Sequence, residues 1–189
     1  IVEGYINQYS KPYSEIPFIG GAIGYCSYEM KSKEKSNSVL PKLSMGIYDW
    51  ALIIDHFLQE TYLVTTNVDN DTSKNWPTYI ELFSTLKANK TNDFNVKSEA
   101  DDNLSFEAYR KKFSSVMEFL KEGDCYQINL SKQYKTIVDG DSWQFYKVFR
   151  NLNKSRYMAF LDFKDFEILS GSPERFIQVR AVSYTHLRA

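Results

Sequence analysis

Cysteine is scarce in this chain: Cys26 and Cys125 are the only two in 189 residues, and no C-x-x-C spacing joins them. A disulfide framework and a cysteine-based zinc site are therefore excluded. A reducing, cytoplasmic setting is the economical reading, with both thiols serving as small buried hydrophobes and one bridge between them as the alternative. Histidine is as rare, with His56 in an apolar run and His186 near the end. Neither a histidine-rich metal cluster nor a Ser-His-Asp set follows. No apolar run approaches the 18 residues of a membrane helix, and no charged-then-apolar leader pattern is seen. Charge of one sign is lacking too: 23 Lys and Arg balance 24 Asp and Glu, so nothing draws nucleic acid or an anionic membrane surface.

What is abundant is aromatic. Fourteen Tyr and 13 Phe suit packed antiparallel strands better than a helical bundle. Residues 18–28 read as a glycine-punctuated strand, whose G-G-x-x-G lacks the Lys-Ser/Thr of a phosphate loop. Residues 31–38 read as a solvated loop. Residues 45–56 form a nearly continuous apolar strand, expected to be covered on both faces, and 61–66 return as its hairpin partner. Asp69-x-Asp71-x-Ser73 imitates a calcium loop, but Lys74 stands where glycine is needed and Ile80 where a glutamate is needed. Residues 73–88 have helical spacing, with Pro77 tolerable only near the first turn.

The polar stretch 89–103 reads as a connector. Beyond it, 105–122 is the clearest helix, with Ser105 as N-cap, Glu107 in the first turn and Gly123 as the stop. Phe106, Tyr109, Phe113, Val116, Met117 and Leu120 form its apolar stripe, expected to be core. Residues 125–134 alternate, putting Gln127, Asn129, Ser131 and Gln133 on one side, facing either water or a groove. A second amphipathic helix is expected over 143–151, with strands over 156–161 and 166–169. The sum is an α+β architecture: mixed, mainly antiparallel sheets with flanking helices.

One segment asks for a chemical explanation: Ser170-Gly171-Ser172-Pro173-Glu174-Arg175-Phe176. Pro173 fixes its own φ and pushes Ser172 out of the helical region, which sets Glu174 on a stiff corner after an apolar strand. A carboxylate held that way can be aimed at a substrate. The competing reading is a strand-to-helix turn with Pro at N1 and Glu in the first turn.

Read with Pro17-Phe18-Ile19-Gly20-Gly21-Ala22-Ile23-Gly24-Tyr25 and Gly123-Asp124-Cys125-Tyr126-Gln127-Ile128-Asn129-Leu130, the segment resembles the chorismate-utilising enzymes in order and separation. Gly46-Ile47-Tyr48-Asp49-Trp50-Ala51-Leu52-Ile53-Ile54-Asp55-His56, together with Asn129, looks like the para-aminobenzoate branch of that family rather than the anthranilate branch. The resemblance runs from about residue 16 to 179 and implies an anthranilate-synthase-like fold. It divides the chain into an N-terminal sheet region (1–96), the beginning of a chorismate-binding catalytic domain (97–180), and a tail (181–189) expected to be foreign. The chain is thus expected to be a piece of an enzyme, an incomplete domain without synthase activity by itself.

In that branch a lysine of a P-I-K-G-T motif displaces the C4 hydroxyl of chorismate, and ammonia from a glutamine amidotransferase partner then releases 4-amino-4-deoxychorismate. The chemistry needs a desolvated lysine and an acid to help hydroxide depart. Glu174 matches the family glutamate of S-P-E-R-F, so the resemblance implies that acid–base role for it. The lysine motif is not in this sequence. Mg2+ is implied as cofactor, its ligands expected beyond this chain. An anthranilate product, or a non-catalytic structural or partner-binding module, are the alternatives. Asn153-Lys154-Ser155-Arg156-Tyr157-Met158 matches the N-P-S-P-Y-M segment that helps anthranilate synthases bind tryptophan. Arg156 replaces the second proline, so a tryptophan contact through Arg156, Tyr157 and Met158 competes with a plain strand start.

Overall fold

The computed structural model describes residues 16–31, 40–87, 93–180 and 183–186. The expected polar loop 31–38 lies outside these residues beyond its first position, as do the start of the connector and the ends of the tail. The chain forms two compact units, Ile1–Ala88 and Asn89–Ala189.

In the first unit, β1 (Gly21–Cys26) pairs antiparallel with β2 (Leu43–Tyr48), with Gly21 opposite Tyr48 and Cys26 opposite Leu43. β3 (Trp50–Asp55) pairs antiparallel with β4 (Glu60–Thr65). The apolar run expected as one strand is therefore two, parted at Asp49, where the chain changes partner from β1 to β4. The expected cover on both faces is also corrected, since Leu52 and Ile54 point to solvent. At the β3–β4 turn the Asp55 carboxylate accepts the N–H groups of Phe57 (2.8 Å) and Leu58 (2.9 Å), which lets Gln59 adopt a positive φ of 57°.

Helix α1 (Asn70–Thr85) starts three residues earlier than its apolar spacing predicts. The cause is Asp69, whose side chain caps the helix by accepting from Asp71 N–H at 2.8 Å. The carboxylate that imitated a calcium ligand is thus a helix cap. Pro77 consequently falls inside the helix rather than in its first turn. Aromatic packing holds α1 against β3: Trp50 lies 5.1 Å from Tyr79 and 5.7 Å from Phe83 between ring centroids.

In the second unit the short strands β5 (Phe94–Val96) and β6 (Asp101–Asp102) pair antiparallel with β8 (Val138–Gly140) and β7 (Tyr134–Lys135) respectively. Between them runs α2 (Phe106–Glu122), capped as its sequence predicts: Ser105 accepts from Ala108 N–H, and Gly123 turns left-handed at φ 80°. Its stripe is less buried than expected. No α2 residue is fully buried, and Phe106 is 75% exposed.

The alternating stretch 125–134 is not a regular strand. Only Tyr134 and Lys135 enter a ladder, because the strand facing them is two residues long. Asn103 then ends that ladder, exchanging bonds with Gln133 through its N–H (3.1 Å) and its side-chain oxygen (3.0 Å). Lys132 adds an ion pair to Asp102 at 2.6 Å, which raises the lysine's pKa and lowers the aspartate's. Cys26 is exposed and Cys125 half-buried, both as free thiols, so neither is the fully buried hydrophobe expected.

Helix α3 (Ser142–Asn153) packs on the hairpin of β9 (Tyr157–Phe163) and β10 (Phe166–Ser172). Trp143 and Tyr146 meet Phe160 at 5.1 and 5.5 Å, and Tyr146 is only 6% exposed. After β10 the chain forms β11 (Ile177–Arg180), paired with β12 (Ser183–His186). Every ladder among the described residues is antiparallel. With three α-helices among the described residues, this is the α+β architecture expected from strand-like aromatic stretches alternating with helical ones.

Candidate functional site

The candidate site grows from the end of β10. Antiparallel register sets Gly171 opposite Met158 and Ser172 opposite Tyr157. The two segments singled out in the sequence, 153–158 and 170–176, are therefore neighbours across one hairpin. Residues well apart in the sequence become directly paired, which periodicity alone could not reveal.

α3 approaches this end closely. Asn153 donates from Nδ2 to the Gly171 carbonyl at 2.9 Å. A Cβ on Gly171 would lie 2.4 Å from both that Nδ2 and the Phe149 ring, so glycine is required here for lack of space. The helix ends at Lys154, whose φ of 26° turns the chain and whose N–H bonds to the Arg150 carbonyl at 3.0 Å. Ser155 then donates to the Asn153 carbonyl at 2.9 Å, closing the link into β9.

Beyond Ser172 the corner is bound locally. The Ser172 hydroxyl donates to the Glu174 carbonyl at 2.9 Å and accepts from the Glu174 N–H at 3.4 Å. Pro173 rigidifies the residue between them. No helix follows Pro173: the chain passes into β11, which overturns the strand-to-helix reading of Glu174. The Glu174 carboxylate is instead an exposed group on a turn between two strands.

Arg175 turns toward the hairpin. Its guanidinium lies 5.2 Å from the centroid of the Tyr157 ring, and its Nη1 donates to the Gln178 side-chain oxygen. Tyr157 thus has its ring covered by Arg175, Met158 faces Gly171 in register, and Arg156 precedes them at the mouth of β9. Chemically, the arrangement offers one exposed carboxylate next in sequence to a stacked cation. Among the described residues no three His, Cys, Asp or Glu side chains gather to hold a metal ion.

A second constellation, in the first unit, was not singled out from the sequence. Asp49, between β2 and β3, is only 6% exposed. Its carboxylate accepts the Thr66 hydroxyl and the N–H groups of Val68 and Asp69, each N–H at 3.1 Å. Its carbonyl accepts Thr66 N–H and the Thr65 hydroxyl, both at 2.9 Å. Burial alone would push the carboxyl's pKa up. The bonds from Thr66, Val68, Asp69 and Thr72 outweigh it and hold the group below its ordinary value. A lone aspartate inside the apolar run 45–54 was the available signal, since buried carboxylates are kept only where donors converge.

The sheet pairings, the glycine-limited hairpin end and the proline corner define a scaffold that comparison identifies. A family model described as chorismate binding enzyme matches residues 3–185. The chain belongs to this family. It is 35% identical over 170 residues to aminodeoxychorismate synthase component 1 of Escherichia coli K12, covering 86% of this chain and 36% of that protein. The same component of Klebsiella aerogenes is 33% identical over 181 residues, covering 92% of this chain and 39% of that protein. Anthranilate synthase component I of Streptococcus pneumoniae shares the fold, with TM-score 0.72 at 21% identity over 95% of this chain and 45% of that structure. The chain thus spans little more than a third of the length of the curated relatives it matches. Among the described residues no helix is long and apolar enough to cross a membrane.

Proposed function

We propose that this chain is part of an aminodeoxychorismate synthase component 1, an enzyme that combines chorismate with ammonia to give 4-amino-4-deoxychorismate. The carrying observation is the presentation of Glu174: an exposed carboxylate on a proline corner, tied by Ser172 and seated where two antiparallel strands end. The relatives that are 33–35% identical bear the name of that synthase, which favours it over the anthranilate reading, whose relative in Lactococcus lactis is 26% identical.

In this reading Glu174 is the acid. A lysine of the P-I-K-G-T motif, which this sequence does not contain, attacks chorismate, the C4 hydroxyl departs, and a proton from the Glu174 carboxyl leaves with it as water. Ammonia then displaces the lysine and forms the C4–N bond. A glutamine amidotransferase subunit supplies that ammonia, and magnesium, whose ligands would lie beyond this chain, would offset the negative charge of chorismate. The relatives' designation as component 1 accords with a partner component.

The test is product analysis on the full-length polypeptide that carries this sequence, given chorismate, ammonium and magnesium. 4-Amino-4-deoxychorismate, sharply reduced in Glu174→Gln, supports the reading. Anthranilate as product would transfer the chain to the other branch.

A further inference from the structure

We propose that Tyr157 and Arg175 are positioning residues for Glu174, the ring of Tyr157 serving as the anchor that fixes the acid's corner. The proposal rests on the reading of Glu174 as the acid. Three observations converge on it. Tyr157 stands directly across the ladder from Ser172, the residue whose hydroxyl binds Glu174 on both its N–H and its carbonyl. Arg175, next in sequence to Glu174, lays its guanidinium over the Tyr157 ring at 5.2 Å. The same guanidinium reaches Gln178 at the start of β11. The corner is therefore pinned at its entrance by Ser172 and at its exit by Arg175, and the second pin has its foot on β9.

Two consequences follow for the chemistry. A long, rotamer-rich cation beside the acid is immobilised on a ring and an amide, which removes motion from the turn that carries the carboxylate. The cation is also committed elsewhere: among the described residues no ion pair joins Arg175 to Glu174. The carboxylate stays available to the departing hydroxyl instead of being neutralised by its neighbour. This assigns Tyr157 a role within the site itself. A phenyl ring would serve as well as a phenol, because the stacking uses the face of the ring and not its hydroxyl.

Two measurements test this. In the first, NMR of the chain itself reads the Arg175 side-chain protons, which the Tyr157 ring current should shift upfield. The shift should vanish in Tyr157→Leu and persist in Tyr157→Phe. In the second, kinetics of the full-length polypeptide should show Tyr157→Leu lowering kcat about tenfold, as expected when a reacting group is misplaced, with KM for chorismate within about twofold. Tyr157→Phe should restore kcat. Arg175 protons unshifted in the wild type would overturn the proposal. So would an unchanged kcat in Tyr157→Leu where Glu174→Gln lowers kcat, and in that case Glu174 would keep its role. If Glu174→Gln itself left kcat intact, the acid reading would fail and the positioning roles with it.

Discussion

The Thr66 hydroxyl donates to the carboxylate of Asp49, 17 residues earlier in the chain, and both side chains are shielded from solvent, Thr66 to 1% exposure. Around this bond the first unit changes direction. β2 ends, β3 begins, β4 closes, and the loop toward α1 takes its shape from two N–H groups on the same carboxylate. Gly20 belongs to the arrangement as well, since a Cβ there would meet Thr66 Cγ2 at 2.6 Å.

Asp49→Asn should therefore destabilise the first unit by about 1–3 kcal/mol, the cost of leaving a buried donor without its acceptor. Asparagine keeps one oxygen, but its NH₂ turns a donor toward one of the two backbone N–H groups. Chemical denaturation measures the loss. The pH dependence has a definite sign. The folded-state pKa of Asp49 is lowered, so its contribution is present above the unfolded value of about 3.9 and is lost as pH falls through the folded one. The acid limb of the stability curve should be shallower in Asp49→Asn than in the wild type.

Pro77 gives the opposite expectation. It sits inside α1, where its ring nitrogen cannot donate to the Ser73 carbonyl four residues back. Proline in a helix interior is about 3 kcal/mol less favourable than alanine, and greater freedom of the unfolded chain returns about 0.4–1 kcal/mol of that on substitution. Pro77→Ala should raise stability, with a higher denaturation midpoint as the readout. An unchanged or lower midpoint would mean that the Trp50, Tyr79 and Phe83 packing depends on proline at this position.

Two glycines separate strain from crowding. Gly123 is left-handed at φ 80°, and a Cβ there would meet nothing within 4 Å, so Gly123→Ala should cost only the backbone preference, about 1–2 kcal/mol. Gly171 has the opposite problem, with Phe149 and Asn153 both 2.4 Å from where a Cβ would sit. Gly171→Val should cost more, toward the upper end of the range of about 1–3 kcal/mol for overpacking, and should also break the Asn153 bond to the strand. Restoring room with Phe149→Leu should recover part of the Gly171→Val loss and none of the Gly123→Ala loss. Thermal unfolding of these single and double variants checks this.

Local rules made α2 legible, because Ser105 and Gly123 signal both its ends and its stripe repeats at helical spacing. The same rules misplaced α1, whose start is set by Asp69 and not by the first apolar residue. They also ran β2 and β3 together, since hydrophobicity is continuous across a break that is made by hydrogen bonds to Asp49. The segment 125–134 alternates like a strand, yet pairing needs a partner of matching length, and Asn103 ends the partner after two residues. At the candidate site the motif residues were visible singly. What could not be read was that β9 and β10 bring Tyr157 against Ser172 and Arg175, for register across a hairpin is fixed by the whole ladder.

The last prediction concerns Glu174 in the full-length polypeptide. If its carboxyl protonates the departing hydroxyl, Glu174→Gln should lower kcat by roughly 10²–10⁴-fold, the usual worth of general acid–base help, while chorismate binding stays nearly intact. Glutamine preserves the shape and one oxygen but carries no acidic proton. Folding should be almost untouched. The Ser172 hydroxyl bonds to the backbone N–H and carbonyl of residue 174 and makes no demand on its side chain, and the carboxylate is exposed. Surface substitutions of this kind stay within about 0.5 kcal/mol. Parallel measurement of Tm and kcat therefore gives a clean division: an unchanged Tm with a collapsed kcat marks an acid, and unchanged values of both mark a solvent-facing turn residue. A fall in Tm with kcat preserved would show that the corner depends on the carboxylate after all, contrary to the bonding seen at Ser172.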